Sequence, residues 1–479
     1  MARLLGLDVG TTATKAVLID ESGSVLKQAS SEYTLSAPRP LWAEQDPADW
    51  VQAANECLVV IGERKPDAIG LTGQMHGMVA LDASDRVVRP AILWCDQRTQ
   101  DECGQIDAAL GAERVRQVTC NPPLTGFQLP KVLWMRNHEP ENFARTSSVL
   151  LPKDYLRHVL TGERATDVSD ASGVGAFDVV NRAWWPEAFS KLGLDPAWFA
   201  RVYESSEGTG VTLGSDLLEP GVPVVAGAGD QAAGAVGTGA VEAGIVSVSL
   251  GTSGVVFASL TDPRPDPTGA AHVFCHANRA WHAMGVMLSC GGSVRWARDV
   301  LYPGQDYDAM NAEAKSVPPG CEGLTFLPYL SGERCPYNDP LARGAFAGLT
   351  LSHSRAHLAR AVFEGATFGI ADCLDRLVSL GVKRGDVRVS GGGARSALWM
   401  QMLSDVLQVG CARVQGEVAP AFGAALLAGV GTGVWPDVQS ACRTTIKLGD
   451  RFEPAKDAYG PELERYRSLY PTLKVWNKA

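Results

Sequence analysis

The sequence predicts an α/β protein built as two lobes, and three observations carry that expectation. Short apolar strands, glycine turns and helix-length amphipathic stretches alternate along the 479 residues. An apolar strand, a Gly-Thr-Thr turn and a second apolar strand open the chain. The same arrangement returns around Gly251-Thr252-Ser253, half a chain later. The length allows two lobes of about 240 residues. The uncharged, Gly- and Ala-rich stretch 237–244 is the candidate boundary, giving an N-terminal lobe of 1–243 and a C-terminal lobe of 244–479.

Leu4 to Asp20 reads as two strands flanking Gly10-Thr11-Thr12-Ala13, and Glu21-Ser22-Gly23-Ser24 turns the chain into a third, which makes a meander. Helical periodicity follows over Asp49–Ile61 and Pro130–Asn137, with short strands at Ala68–Leu71 and Val222–Ala226. In the second half, Ser352 or Ser354 is placed to cap a long helix over His357–Leu380, closed by Gly381, and strand Val387–Val389 then runs into a glycine turn. The uncharged runs at 243–261 and 418–435 approach membrane length. Gly, Ser, Thr and Pro interrupt them, so buried strands and a core helix are expected instead.

A net charge of -10 argues against a protein that tracks nucleic-acid phosphates, which needs a basic face. Eleven scattered cysteines without a CxxC pair suggest neither a disulfide framework nor a zinc ribbon and fit a reducing cytoplasm. The N-terminal apolar stretch ends at Asp8, too soon for a signal-peptide core.

Asp8 is a carboxylate at a strand end, followed by Gly10, Thr11 and Thr12, with Lys15 close behind. Backbone N–H groups and hydroxyls on such a turn approach phosphate oxygens, and Asp8 suits a hydrated Mg²⁺. An ordinary polar hairpin is the alternative. The second turn, Gly251, Thr252 and Ser253, favours phosphate, because two such hairpins can clamp a triphosphate from both sides. Gly227-Ala228-Gly229-Asp230-Gln231-Ala232 fits a dinucleotide fingerprint, but no acidic residue for a ribose occurs between Ala243 and Thr261. Asp230 on that turn is instead a candidate general base, or else only a helix-capping carboxylate. Gly392, Gly393 and Ala394 follow a strand and offer a flat platform for adenine or ribose, or simply a tight turn. No Gly-x-x-x-x-Gly-Lys-Ser/Thr loop occurs. Gln74, Met75 and His76 follow one strand, and Trp94 and Asp96 another; together they supply polar groups beside an apolar wall, as a polyol pocket requires. A structural histidine and an Asp96–Arg98 ion pair are the bland readings. His353 with His357, and His272 with Cys275 and His276, lack a complete metal-ligand pattern.

These residues resemble the FGGY family of carbohydrate kinases, and within it the xylulokinases. The most specific piece is Gly344-Ala345-Phe346-Ala347-Gly348-Leu349, then after seven residues His357-Leu358-Ala359-Arg360-Ala361-Val362-Phe363-Glu364, which is similar to the family's C-terminal signature. Trp42 to Pro47, Gln74 to Gly77, Leu93 to Arg98 and Ser331 to Pro336 add to it. The resemblance implies two actin-like, ribonuclease-H-type lobes with ATP and sugar between them. It also implies ATP-dependent phosphorylation of a ketopentose, D-xylulose above ribulose, gluconate or glycerol, and a possible homodimer. In that scheme Asp230 and Asp8 are catalytic, Asp8 holding the metal. Gln74, Met75, His76, Trp94, Asp96, Asp230 and Gln231 meet the sugar. Gly10, Thr11, Thr12, Lys15, Gly251, Thr252, Ser253, Gly392, Gly393 and Ala394 meet the nucleotide. An actin-like or chaperone-type ATPase is the rival from another class.

Overall fold

The computed structural model describes residues 2–416, 419–455 and 459–476. Strands β1 (Leu4–Val9), β2 (Ala13–Ile19) and β3 (Val25–Glu32) form an antiparallel meander. Helix α1 (Pro47–Ile61) leads to β4 (Ala68–Gly73), which lies parallel to β1. The helix starts two residues before the apolar period does, because Asp46 caps it by accepting the Ala48 N–H at 2.9 Å and Pro47 has no N–H to satisfy. It ends at Gly62, whose φ of 64° is left-handed. Its inner stripe, Trp50, Ala54, Cys57, Leu58 and Ile61, packs into one core with β1 and β4.

After α2 (Gln128–His138), α3 (Pro152–Thr161) and the single turn α4 (Val168–Ala171), strands β5 (Gly208–Val211), β6 (Pro223–Val225) and β7 (Ala228–Gly229) complete the first sheet. Its order is β5-β6-β4-β1-β2-β3, with β7 also paired to β4. Helix α5 (Asp230–Thr238) begins directly where β7 ends.

The second sheet repeats this plan. Strands β8 (Ile245–Leu250) and β9 (Gly254–Leu260) are antiparallel, and β10 (Ala271–Cys275) and β11 (Trp281–Met287) extend the meander through β11 against β9. Helices α6 (Gly291–Leu301) and α7 (Arg355–Ser379) come before β12 (Asp386–Ser390), which lies parallel to β8 as β4 does to β1. Then come α8 (Ala397–Leu407), β13 (Cys411–Val414), α9 (Ala419–Gly431) and β14 (Leu448–Phe452), giving the order β10-β11-β9-β8-β12-β13-β14. Two sheets, each a meander whose first strand pairs in parallel with a later one, are the two actin-like, ribonuclease-H-type lobes expected. Ser354, not Ser352, caps α7, in a reciprocal box with His357. The uncharged run 243–261 forms β8 and β9, and 418–435 forms α9, with Val418 outside the described residues. No helix among the described residues is long and apolar enough to cross a membrane.

Helix α9 lies between β13 and β14 of the second sheet in sequence but packs on the first. Leu4, Ala228, Ala232, Ala421, Ala425 and Leu426 share one core. Gly6 on β1 and Gly70 on β4 leave no room for a Cβ against the Ala421 and Ala424 carbonyls, so helix and sheet touch backbone to backbone.

Candidate active site

Three strand ends converge in the first lobe. Parallel register puts Asp8 beside Thr72 and Thr72 beside Ala228, so Asp8 closes β1 and Asp230 stands two residues past Ala228 at the start of α5. Antiparallel pairing sets Lys15 opposite Asp8. Burial, with a contribution from the charge of Asp230, pushes the Asp8 carboxyl up to about 7 against a smaller opposing pull from Lys15. Burial likewise raises Asp230 to about 6, partly opposed by the Gln231 side chain, which donates to its Oδ1 at 3.3 Å. Asp8 Oδ1, Thr72 Oγ1 and Gln74 Oε1 are buried with no hydrogen-bond partner. Protein interiors rarely leave such atoms unmatched, so the strand ends are built to meet something further.

The first Gly-Thr turn is braced from three sides. Tyr33 donates to the Gly10 carbonyl at 2.6 Å, Gln45 to the Thr11 carbonyl at 2.7 Å and Trp94 Nε1 to Thr11 Oγ1 at 2.9 Å. Thr12 is left exposed at the tip. Trp94 is partly exposed, so it serves the turn while keeping an open ring face. Gly227 and Gly229, which mimicked a dinucleotide fingerprint, have packing reasons. Gly227 has φ 70° against β4, and a Cβ on Gly229 would stand 2.8 Å from Met75 Cγ.

Met75 is buried, and His76 follows in a left-handed conformation, φ 68°. The His76 ring stacks on Phe127 at 4.8 Å, and its Nδ1 lies 2.8 Å from the Gly173 carbonyl. That carbonyl accepts only, so the proton sits on Nδ1 and Nε2 is an acceptor. Burial lowers the ring to about 3 and keeps it neutral. Lys131, fully buried, donates to the His76 carbonyl at 2.8 Å and the Gly126 carbonyl at 2.6 Å; burial brings its ammonium down to about 7.

Asp96 lies behind the loop surface. It is wholly buried, and its oxygens accept from the Ala43 N–H and from Arg98 through three guanidinium contacts of 2.7–3.0 Å. Arg98 in turn lies over the Trp42 ring at 3.6 Å. Asp96 therefore fixes the loop that carries Trp94.

In the second lobe a cavity of about 550 Å³ gathers Gly251, Thr252, Gly392 and Gly393, residues up to 142 positions apart. The Gly251 turn docks on the start of α6: the Gly251 carbonyl accepts from the Gly291 N–H at 2.8 Å and the Thr252 carbonyl from the Gly292 N–H at 2.9 Å. Ser253 and Ala394 do not line the cavity. Ser253 Oγ donates to the Leu288 carbonyl at 3.2 Å, and Ala394 is buried with its carbonyl taken by Arg413, so both support their turns from behind. The sequence reading missed Tyr307, Asn311, Ser396 and Trp399 in the lining. Ser396 Oγ donates to Asn311 Oδ1 at 2.7 Å across 85 positions, a pairing no local pattern shows. The Gly291-Gly292 pair that opens α6 was the one legible signal. Asp8, Asp230 and the Gly10 turn stand outside this lining, on the first lobe.

Two family models cover the chain: the FGGY carbohydrate kinase N-terminal domain matches residues 3–237 and the C-terminal domain residues 246–432. The xylulose kinase of Escherichia coli K12 is 42% identical over 99% of this chain and 98% of its own length. The crystal structure of a xyloylose kinase from Brucella ovis superposes with a TM-score of 0.93 at 40% identity, covering 99% of this chain and 100% of that one. The xylulose kinase structure from Rhodospirillum rubrum gives 0.92 at 29% identity over both full chains.

Proposed function

The chain belongs to the FGGY family of carbohydrate kinases, and from that premise we propose that it phosphorylates D-xylulose on its terminal 5-hydroxyl, giving D-xylulose 5-phosphate and ADP. The observation that carries the mechanism is the pair of carboxylates at neighbouring strand ends, Asp8 and Asp230, both raised by burial, with Asp8 Oδ1 left unmatched. Asp230, at the first turn of α5, accepts the proton of the attacking hydroxyl. Its carboxyl at about 6 leaves it ionised near neutrality yet still basic. Met75 and His76 form the sugar wall, with His76 Nε2 and Gln74 Oε1 as acceptors for hydroxyl donors. Trp94 and Gln231 border it.

ATP occupies the second-lobe cavity in this reading, its nucleoside against Gly392 and Gly393 and its phosphates reaching the Gly251-Thr252 turn. The phosphates lie between that turn and Gly10, Thr11, Thr12 and Lys15 of the first lobe. A hydrated Mg²⁺ fits Asp8, whose Oδ1 is buried without a partner; bound there, the ion neutralises phosphate charge. The lobe boundary is proposed at 243/244, which the gap between the two family models supports. All eleven cysteines are free and ten are buried, which supports a cytoplasmic protein; a homodimer follows from the resemblance alone.

The test is ADP production with Mg²⁺-ATP across D-xylulose, D-ribulose, L-ribulose, gluconate, glycerol, xylitol and no sugar. A selective D-xylulose response is expected. Selectivity for another sugar replaces the substrate and keeps the kinase, and ADP release indifferent to every sugar favours the ATPase rival. A narrower test is His76→Ala. Losing the ring removes both the Phe127 stack and the Nε2 acceptor, so calorimetric titration should show sugar binding weakened about tenfold or more with ATP binding unchanged. Equal losses for both ligands would remove His76 from the pocket.

A further inference from the structure

Behind Asp230 lies a group of charges that the proposed reaction does not use. Lys153 on α3 is fully buried, and its Nζ contacts Asp154 at 2.6 Å, Asp167 at 3.1 Å and Asp170 at 3.3 Å. All three aspartates are buried too, with Arg157 one turn along α3. Burial works against the Lys153 charge, but the three carboxylates more than offset it and hold the ammonium above its usual range. Such a buried network is expensive to assemble and is poor evidence for stability as such. Its connections point to a different use.

The segment 225–229, which delivers Asp230, hangs from this network. Arg157 donates to the Val225 carbonyl at 2.7 Å and to the Ala226 carbonyl. The Gly227 N–H donates to the Ser205 carbonyl at 2.8 Å, while Ser205 Oγ donates to Asp167 Oδ2 at 3.1 Å. Ser169 Oγ donates to the same Asp167 oxygen at 2.5 Å and accepts the Gly229 N–H at 3.1 Å, immediately before Asp230. The opposite end of the short helix reaches the sugar wall. The Gly173 N–H donates to the Asp170 carbonyl at 3.0 Å, and the Gly173 carbonyl takes His76 Nδ1.

We propose that Lys153, Asp167 and Ser169 are positioning residues: anchored on Lys153, the 167–173 segment sets Asp230 through the Ser169–Gly229 hydrogen bond and His76 through the Gly173 carbonyl. The network gives the base a fixed reference inside the lobe, because a displacement of about 1 Å at a reacting group can cost about a hundredfold in rate. This inference rests on Asp230 being the base.

The test is Ser169→Ala in the full-length enzyme, since Lys153→Met leaves three carboxylates buried without their cation and is liable to misfold. Ser169→Ala should lower kcat about 10- to 100-fold, leave KM for D-xylulose and ATP within about threefold, and keep the native circular dichroism spectrum; Ser169→Thr, which retains the hydroxyl, should recover most of the loss. On an Asp230→Ala background the same substitution should cost nothing further, because the residue it positions is gone. Wild-type kcat in Ser169→Ala, a loss that falls on KM instead, or an equal loss repeated on the Asp230→Ala background would each overturn the positioning role. Near wild-type turnover in Asp230→Ala would overturn the base assignment and this inference with it. An inactive Asp230→Ala beside a normal Ser169→Ala would remove this inference alone.

Discussion

Asp230→Ala should lower D-xylulose turnover by about three orders of magnitude, within the range that a positioned base contributes. ADP affinity should stay within about twofold, since Asp230 lies outside the 550 Å³ cavity lined by Gly251 and Gly393. The fold should survive, because the hydrogen bonds to the Asp230 side chain come from its own neighbour Gln231, the side-chain one at 3.3 Å. Steady-state assay and calorimetry check both halves, and turnover near that of the parent enzyme would show that another group takes the proton. The same carboxylate sets a pH limit. Burial has raised Asp230 to about 6, and only its ionised form can accept a proton, so kcat should fall as the pH drops through about 6. Asp8, at about 7, interacts with Asp230, so the observed limb belongs to the pair.

Asp8→Asn should remove turnover while making the protein more heat-resistant. The loss is expected at about a hundredfold or greater, as for removal of a charge that organises the transferring phosphate. The stability gain follows from burial. A carboxyl raised from 3.8 to about 7 favours the folded state while protonated, and that contribution is lost as the pH rises through about 7. At pH 8 the parent protein therefore carries a buried charge that asparagine does not. A gain of about 2 kcal/mol corresponds to a rise of about 4–8 °C for a lobe of this size. Scanning calorimetry at pH 8 and pH 5 is the check: the advantage of Asp8→Asn should shrink at pH 5, where Asp8 is already protonated. A lower Tm at pH 8 would mean that the charge is satisfied within the folded chain.

The two meanders and the repeat were legible because their turns are written in glycine and threonine between apolar strands, a local code. Asp8, Gln74, His76 and Asp230 were legible because each lies at or just past the end of a strand, where an α/β sheet presents its residues to ligands. Asp96 is a different case. It too follows a strand, but Arg98 two residues on donates to both of its oxygens inside the fold. Asn311 and Ser396 escaped notice because the helix Tyr307–Lys315 and the start of α8 meet at the cavity only once the chain is folded. Lys153 and its aspartates were passed over because charged residues are ordinarily taken for surface, and here the interior holds them by mutual pairing.

Helix α9 has a consequence for how the molecule is made. Its carbonyls seat directly on Gly6 and Gly70, so one face of the first sheet is completed by residues 419–431. A ribosome that has released the first 243 residues has therefore delivered a lobe with an open side, and that lobe can close only after about 190 more residues have emerged. At about 5–20 residues per second the wait is on the order of 10–40 s. The two halves therefore cannot be traded between relatives as independent modules without carrying α9 along.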